Sequence, residues 1–365
     1  MSMTRTPKII AIAGGKGGVG KTIFACMLGI CLAGFKRRTI LVDLDFSGAD
    51  VHGYLDVPRS DKSLNAYFSG RSTHLGDVVQ PTLFDKLDAI SLQSDVFDAQ
   101  ACKPWQKRRL FREFQQLKAD YIILDLGAAS SILGLDSFLM ADYGILLSTN
   151  DMFSIINTYS FIRSTLLRSL KRRFYDTPHV LRILDECGLL VDGKSVKPLN
   201  TIIEQFELDI QEKFLELEHL WMNFHPKVIL NFAQESERFD DFFLLGPVTK
   251  DLLNVDLDYW GHIRFDDDVR RAVRSKRPDK LFSATSKASE DVVRFVVRNI
   301  IANEVHAGDQ KSSMWLQKDA NIFRMFQEED SIICTPKCLL WNNCSARSEG
   351  CTCSKMHLEL MKKAG

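Results

Sequence analysis

The chain lacks any apolar run long enough to cross a bilayer. Its longest nearly uncharged stretch, Ile23 to Phe35, has 13 residues, against the roughly 20 that a spanning helix needs. It also lacks net charge, with 47 Lys and Arg against 47 Asp and Glu. No bulk field therefore draws it onto nucleic acid or an anionic membrane. Cysteine is scarce before residue 330, where only Cys26, Cys31, Cys102 and Cys187 occur, which excludes a secreted disulfide framework. No internal repeat or low-complexity tract is present. The opening residues run straight into a Gly-rich loop without a cleavage-site pattern, so no leader is expected. A composition 45% apolar and 26% charged excludes disorder as the main state and leaves enough apolar residues for a large core. A soluble, cytoplasmic protein is the expectation.

What is present is an alternation of short β-branched runs and longer helical stretches, the α/β pattern. Strands are expected at KIIAIA (8–13), TILVD (39–43), YIILD (121–125), YGILLS (143–148), KVILN (227–231) and DYWGHI (258–263), and a helix over about 21–33. Runs that are apolar without alternation belong to strands covered on both faces, hence a doubly wound, mainly parallel sheet. Two stretches exceed that minimal unit. Residues 155–224 read as a helical insertion with a basic run, RSLKRR (168–173), and an acidic amphipathic half, EQFELDIQEKFLELEHL (204–220). Beyond a domain at 1–303 lies a tail at 304–365.

Residues Gly15-Lys16-Gly17-Gly18-Val19-Gly20-Lys21-Thr22 fit G-x-x-x-x-G-K-[ST] between an expected strand and an expected helix. Glycines let the backbone curl so that successive N–H groups face phosphate oxygens, and the helix N-terminus adds positive potential. In such a loop Lys21 reaches the β- and γ-phosphates and the Thr22 hydroxyl serves Mg²⁺.

The second lysine, Lys16, makes KGGVGKT resemble the deviant Walker A loop of the MinD/ParA family. Other motifs agree in order. TILVDLDFSGAD resembles the family's switch I, with Asp43 and Asp45 as its D-x-D; YIILDLGAAS supplies Asp125 as a Walker B-like carboxylate and Gly127 as the γ-phosphate sensor. VILNFAQ offers Asn231 for the adenine base, and GHIRFDDDVRRAVRSKRP resembles the closing segment. DLGAAS and GHIRFDDDVRRAVRSKRP look closer to the FlhG/FleN-like flagellar-number regulators and their unassigned relatives than to MinD. The resemblance implies a P-loop fold, ATP and Mg²⁺ as cofactors, Asp45 and Asp125 holding the metal through water, and Asp45 ordering the attacking water. It also implies an ATP-dependent homodimer in which Lys16 reaches the partner's nucleotide, an unidentified protein partner, and slow hydrolysis that switches the partner surface off. Asp43 has a second reading as a strand-end carboxylate, and Asn231 one as a turn residue. Positioning or number control of a flagellum-like structure is the first output it implies. Chromosome or plasmid partition is the second, and an ATP-dependent Fe–S carrier the alternative of another class.

Five cysteines, Cys334, Cys338, Cys344, Cys351 and Cys353, crowd into the tail. Cys334 and Cys338 have the spacing of a zinc pair, whereas Cys351-x-Cys353 is too tight for an ordinary knuckle, and Fe–S clusters take more varied spacing. Zn²⁺ or an Fe–S cluster is the expectation, with reduced free thiols or a redox-switched disulfide as the alternatives. RSLKRR and RRAVRSKRPDK (270–280) read as solvated helix faces, with nonspecific DNA binding a disfavoured alternative. Asp266, Asp267 and Asp268 read as helix caps. The terminal KMHLELMKK is too short and too charged for a membrane anchor. Phe111, Phe114, Phe214 and Trp221 read as core.

Overall fold

The computed structural model describes residues 6–46, 48, 51–58, 60–92, 102–127, 131–176, 178, 181–182, 223–234, 238–283 and 286–302. Within these, the chain alternates strands and helices. It runs β1 (Lys8–Ala13), α1 (Lys21–Gly34), β2 (Thr39–Leu44), α2 (Val51–Tyr54), α3 (Leu64–Phe68), β3 (Gln80–Pro81) and β4 (Leu87–Ile90). Then follow α4 (Pro104–Phe114), β5 (Tyr121–Leu126), α5 (Ile132–Met140), β6 (Tyr143–Ser148), α6 (Met152–Arg173) and β7 (Lys227–Ala233). The last elements are α7 (Asp240–Phe243), α8 (Leu245–Leu253), β8 (Asp258–Arg264), α9 (Asp267–Arg274) and α10 (Lys287–Val296).

One sheet holds these strands in the order β3-β4-β2-β5-β1-β6-β7-β8. Its pairs are parallel except β3 with β4. Residues alternate between two cores: Ile9, Ala11 and Ala13 of β1 face one, Ile10 and Ile12 the other. The first core is closed by α4, α5 and α6, with Phe111, Phe114, Phe161 and Leu166 buried in it. The second is closed by α1 and α10, where Phe24 and Phe295 meet edge to face at 5.6 Å. Burial on both faces is why these strands carry continuous apolar runs. Phe111 and Phe114 are core as expected; Phe214 and Trp221 lie outside the described residues.

Three readings change. The six expected strands omit β3 and β4, which are short and carry Pro81 and Asp88, so propensity hides them. Their place comes from pairing: Thr39 to Val42 of β2 align with Leu87 to Ile90. Helix α6, the 22 residues Met152–Arg173, packs into the first core, so the opening part of the stretch 155–224 helps to cover the sheet. Finally, RSLKRR is not a solvated face. Arg168 and Arg172 turn inward with Lys107 onto the fully buried carboxylate of Asp136. Apolar α6 neighbours such as Leu167 and Leu170 pull that face of the helix down, and Asp136 supplies the countercharge. The acidic run 204–220 and the tail 304–365, with all five of its cysteines, lie outside the described residues.

Candidate functional site

Parallel strands deliver their carboxyl ends to one edge of a sheet, and the crevice forms where neighbouring crossovers part. Here β1 lies between β5 and β6, and the loop 14–20 leaves its end directly into α1. Gly18 and Gly20 take left-handed backbone, φ 83° and 86°, which allows the loop to fold back over the helix start. Gly20 also lets Asn231 in: a Cβ there would stand 2.5 Å from Asn231 Nδ2. That Nδ2 donates to the Val19 carbonyl at 2.8 Å, so β7 braces the loop. Beside it Phe232 sits at φ 58°, a left-handed conformation that costs a non-glycine residue about 1–3 kcal/mol. Lys21 is buried at the first turn of α1, with Thr22 next to it half-buried.

The loop is packed from the other side by α6. A Cβ on Gly15 would lie 2.1 Å from the Asn157 carbonyl carbon, so the two backbones touch. Lys16 instead stands at the surface, 3.7 Å from Asp151 Oδ1 and 5.9 Å from the centroid of the Phe153 ring. Asp151 also caps α6, accepting from Ser154 N–H at 2.9 Å. The Thr149 hydroxyl, the Ser154 N–H and Lys16 hold its carboxyl below the usual range, against a smaller opposing effect of burial. Phe153 beside Lys16 is exposed to 72%, and Met152 and Ile156 of α6 and Ile132 at the start of α5 are exposed as well.

On the β2–β5 side, register sets Asp43 directly opposite Asp125, both fully buried. Asp43 Oδ1 accepts from the Asp45 N–H at 3.0 Å, and its Oδ2 has no hydrogen-bond partner among the described residues. Burial first, then the neighbouring Asp125, pushes the Asp43 carboxyl well above the ordinary aspartate range. Two adjacent buried carboxylates repel unless a cation or a proton joins them. Such a pair, with an acceptor to spare, fits a hydrated Mg²⁺ held chiefly by phosphates, Thr22 and water. Gly127 is held close to Asp45, since a Cβ there would lie 2.6 Å from Asp45 Oδ1. Among the described residues no group of three or more His, Cys, Asp or Glu side chains forms a ready-made metal cage.

The structure thus brings loop residues 15–22, Asp43, Asp45, Asp125, Gly127 and Asn231 to one edge. Sequence reasoning passed over Asp151, Phe153 and Asn157. Asp151 stood in a legible N-cap position before α6; Asn157 left no sequence signal, because it contributes backbone alone. Asp266 caps α9 and also accepts from the Ser286 hydroxyl at 2.8 Å, in keeping with its expected capping role. RRAVRSKRPDK is a solvent-facing run in which Arg271 and Arg277 pair with Asp268 and Asp279. Burial pushes the thiols of Cys31 and Cys102 up to about 12 and about 11, keeping them protonated and inert. Among the described residues no helix is long and apolar enough to cross a membrane.

Residues 7–171 match the model of an AAA domain family. The chain is 33% identical to the sporulation initiation inhibitor protein Soj of Bacillus subtilis over 37% of this chain and 55% of Soj. It is 27% identical to the antiactivator FleN of Pseudomonas aeruginosa over 77% of this chain and 82% of FleN. The chain spans about half the length of Soj and of the ParA of Myxococcus xanthus. Its fold is similar to that of MinD from Pyrococcus horikoshii in complex with Mg-ADP. That match has a TM-score of 0.52 at 18% identity, covering 81% of this chain and 97% of that one. A plasmid partition protein of Borrelia burgdorferi bound to AMPPNP gives the same TM-score at 16% identity, covering 80% and 97%.

Proposed function

Since the chain belongs to the MinD/ParA family of P-loop ATPases, we propose that it is an ATP-driven dimerising switch. Slow hydrolysis of Mg-ATP would end the dimeric state and release a protein partner. The observation that carries this reading is the pairing of two differently placed lysines in one loop. Lys21 is buried at the helix start, where bound phosphates would need a cation, whereas Lys16 is half exposed beside the exposed Phe153 of α6, whose Met152 and Ile156 are also exposed. A face of that composition suits a second copy, which would bring Lys16 to the other subunit's nucleotide. Backbone N–H groups of residues 15–22 would cradle the phosphates, and Thr22, Asp45 and Asp125 would hold Mg²⁺, the two carboxylates through water. Asn231 retains Oδ1 and one N–H for the adenine edge while its other N–H braces Val19. Bound Mg²⁺ supplies charge neutralisation on the transferred phosphoryl group; the chain's own part is positioning and electrostatics.

Number or position control of a flagellum-like structure is the output we favour, supported by the long match to FleN. Partition is the second reading, supported by the matches to Soj and ParA. The two-unit division at about 303 and a metal in the cysteine tail belong to the same proposal. Elemental analysis of anaerobically purified protein decides the metal, and stoichiometric iron would favour a cluster carrier over a switch.

Sedimentation velocity with ATP and Mg²⁺ tests the switch. Asp45→Ala should accumulate as dimer with little turnover, and Lys21→Ala should stay monomeric and bind no ATP. A Lys21→Ala protein with unchanged ATP affinity would refute the nucleotide site. Mixing Lys16→Ala with Lys21→Ala subunits tests the trans role, since a mixture without restored activity at any ratio places Lys16 in cis.

A further inference from the structure

At the far end of the sheet, β8 has no strand paired to its outer edge among the described residues. Helical elements rise on both sides of that edge and make it a slot. On one side α7 and α8 present Phe243, Leu244 and Val248 to solvent beside the exposed Tyr259. The rings of Phe243 and Tyr259 lie 5.3 Å apart, so α7 and β8 share an apolar wall there.

The other side is different in kind. Pairing with β7 skips from Tyr259 to Gly261, which has φ 119°, so Trp260 is the extra residue of a bulge. Its ring packs on Phe295 of α10 at 5.7 Å. Beside them opens a cavity of about 270 Å³ whose lining includes Asp291, Arg294, Arg298 and Asn299. Arg294 shares Glu290 and Asp291 with Arg264, while Arg298 has no carboxylate partner among the described residues. The slot therefore has an apolar wall on one face and, on the other, an aromatic-floored cavity in which Arg298 adds a positive charge beyond the Arg294–Asp291 pair.

An extended peptide added to a sheet edge points successive side chains to opposite faces. Its backbone supplies affinity and its side chains supply register. We propose that the β8 edge docks an extended protein segment of alternating acidic and apolar residues. Its acidic side chains meet Arg294 and Arg298, and its apolar ones cover Tyr259, Phe243 and Val248. The apolar wall gives a nucleic-acid phosphate backbone nothing to pair with, so charge complementarity selects an acidic peptide. This surface is independent of the nucleotide site.

The test is a fluorescence anisotropy titration of the full chain with the labelled synthetic peptide Leu-Glu-Val-Asp-Ile-Glu-Val. Saturable binding is expected, weakened about tenfold or more by the double substitution Arg294→Glu, Arg298→Glu. The same peptide N-methylated at alternate residues on its pairing edge should bind at least about tenfold more weakly to the unaltered chain, because ladder hydrogen bonds are lost. That arm needs no variant to fold. Lys21→Ala should bind the peptide as the unaltered chain does, which separates this proposal from the nucleotide reading. No saturable binding, equal binding of the N-methylated peptide, or equal binding of one with its acids clustered at one end overturns the proposal. Undiminished binding by the Arg294/Arg298 variant overturns it as well.

Discussion

Lys16 Nζ stands 3.7 Å from Oδ1 of Asp151 within the same chain. The lysine expected to reach across a dimer is thus anchored at home, on the residue that also begins α6. Because both side chains are about half exposed, the pair is a weak tether. It orients Lys16 and leaves it free to exchange partners.

That geometry predicts the behaviour of Asp151→Asn. Asparagine caps a helix about as well as aspartate, so α6 should keep its start while the charge on Lys16 is released. ATP-dependent dimer should then form at lower protein concentration in sedimentation velocity, with the melting temperature little changed. A weaker dimer would mean that Asp151 guides Lys16 toward the partner and does not hold it back.

Asp43 carries the next prediction. Its folded pKa is raised, so the stability it contributes is full below the ordinary aspartate value and is lost as pH rises through the raised one. At a pH above that raised value, Asp43→Asn should therefore stabilise the nucleotide-free protein by about 1–3 kcal/mol and raise its melting temperature, while ATP turnover collapses. A lowered melting temperature would show that the buried charge is already compensated.

Backbone contact between Gly15 and Asn157 predicts a steric effect. Gly15→Ala puts a Cβ 2.1 Å from the Asn157 carbonyl carbon, so loop and helix must separate and ATP affinity should fall sharply in a fluorescent-nucleotide titration. Gly34→Ala is the control. A Cβ there meets nothing within 4 Å at the end of α1, and stability should hold or rise by up to about 1 kcal/mol.

Asp136 joins α5 to α4 and α6 through Lys107, Arg168 and Arg172. Burial alone would raise its pKa, but hydrogen bonds from Arg168 and the charges of Arg172 and Lys107 outweigh burial and lower it. The stability it contributes is present above the unfolded value near ~4 and is lost as pH falls through the folded one. Asp136→Asn should cost about 3–5 kcal/mol in denaturant unfolding at neutral pH. That cost should shrink in acid, and a pH-independent difference would point to packing in place of charge.

The sequence by itself determined what depends on local order: six sheet strands, the glycine spacing of the loop, Lys21 at a helix start and the caps at Asp266. Continuous apolar runs and glycine positions act over a few residues, so they are legible without a partner. Register, packing and charge compensation are not local. Only the sheet sets Asp43 opposite Asp125 and raises its pKa, and only the placement of α6 brings Asn157 against Gly15. Only the buried carboxylate of Asp136 explains why a run of four basic residues, read as solvated, turns two of its arginines inward. In each case the deciding neighbour lies tens of residues or more away, and distance along the chain carries no record of contact in space.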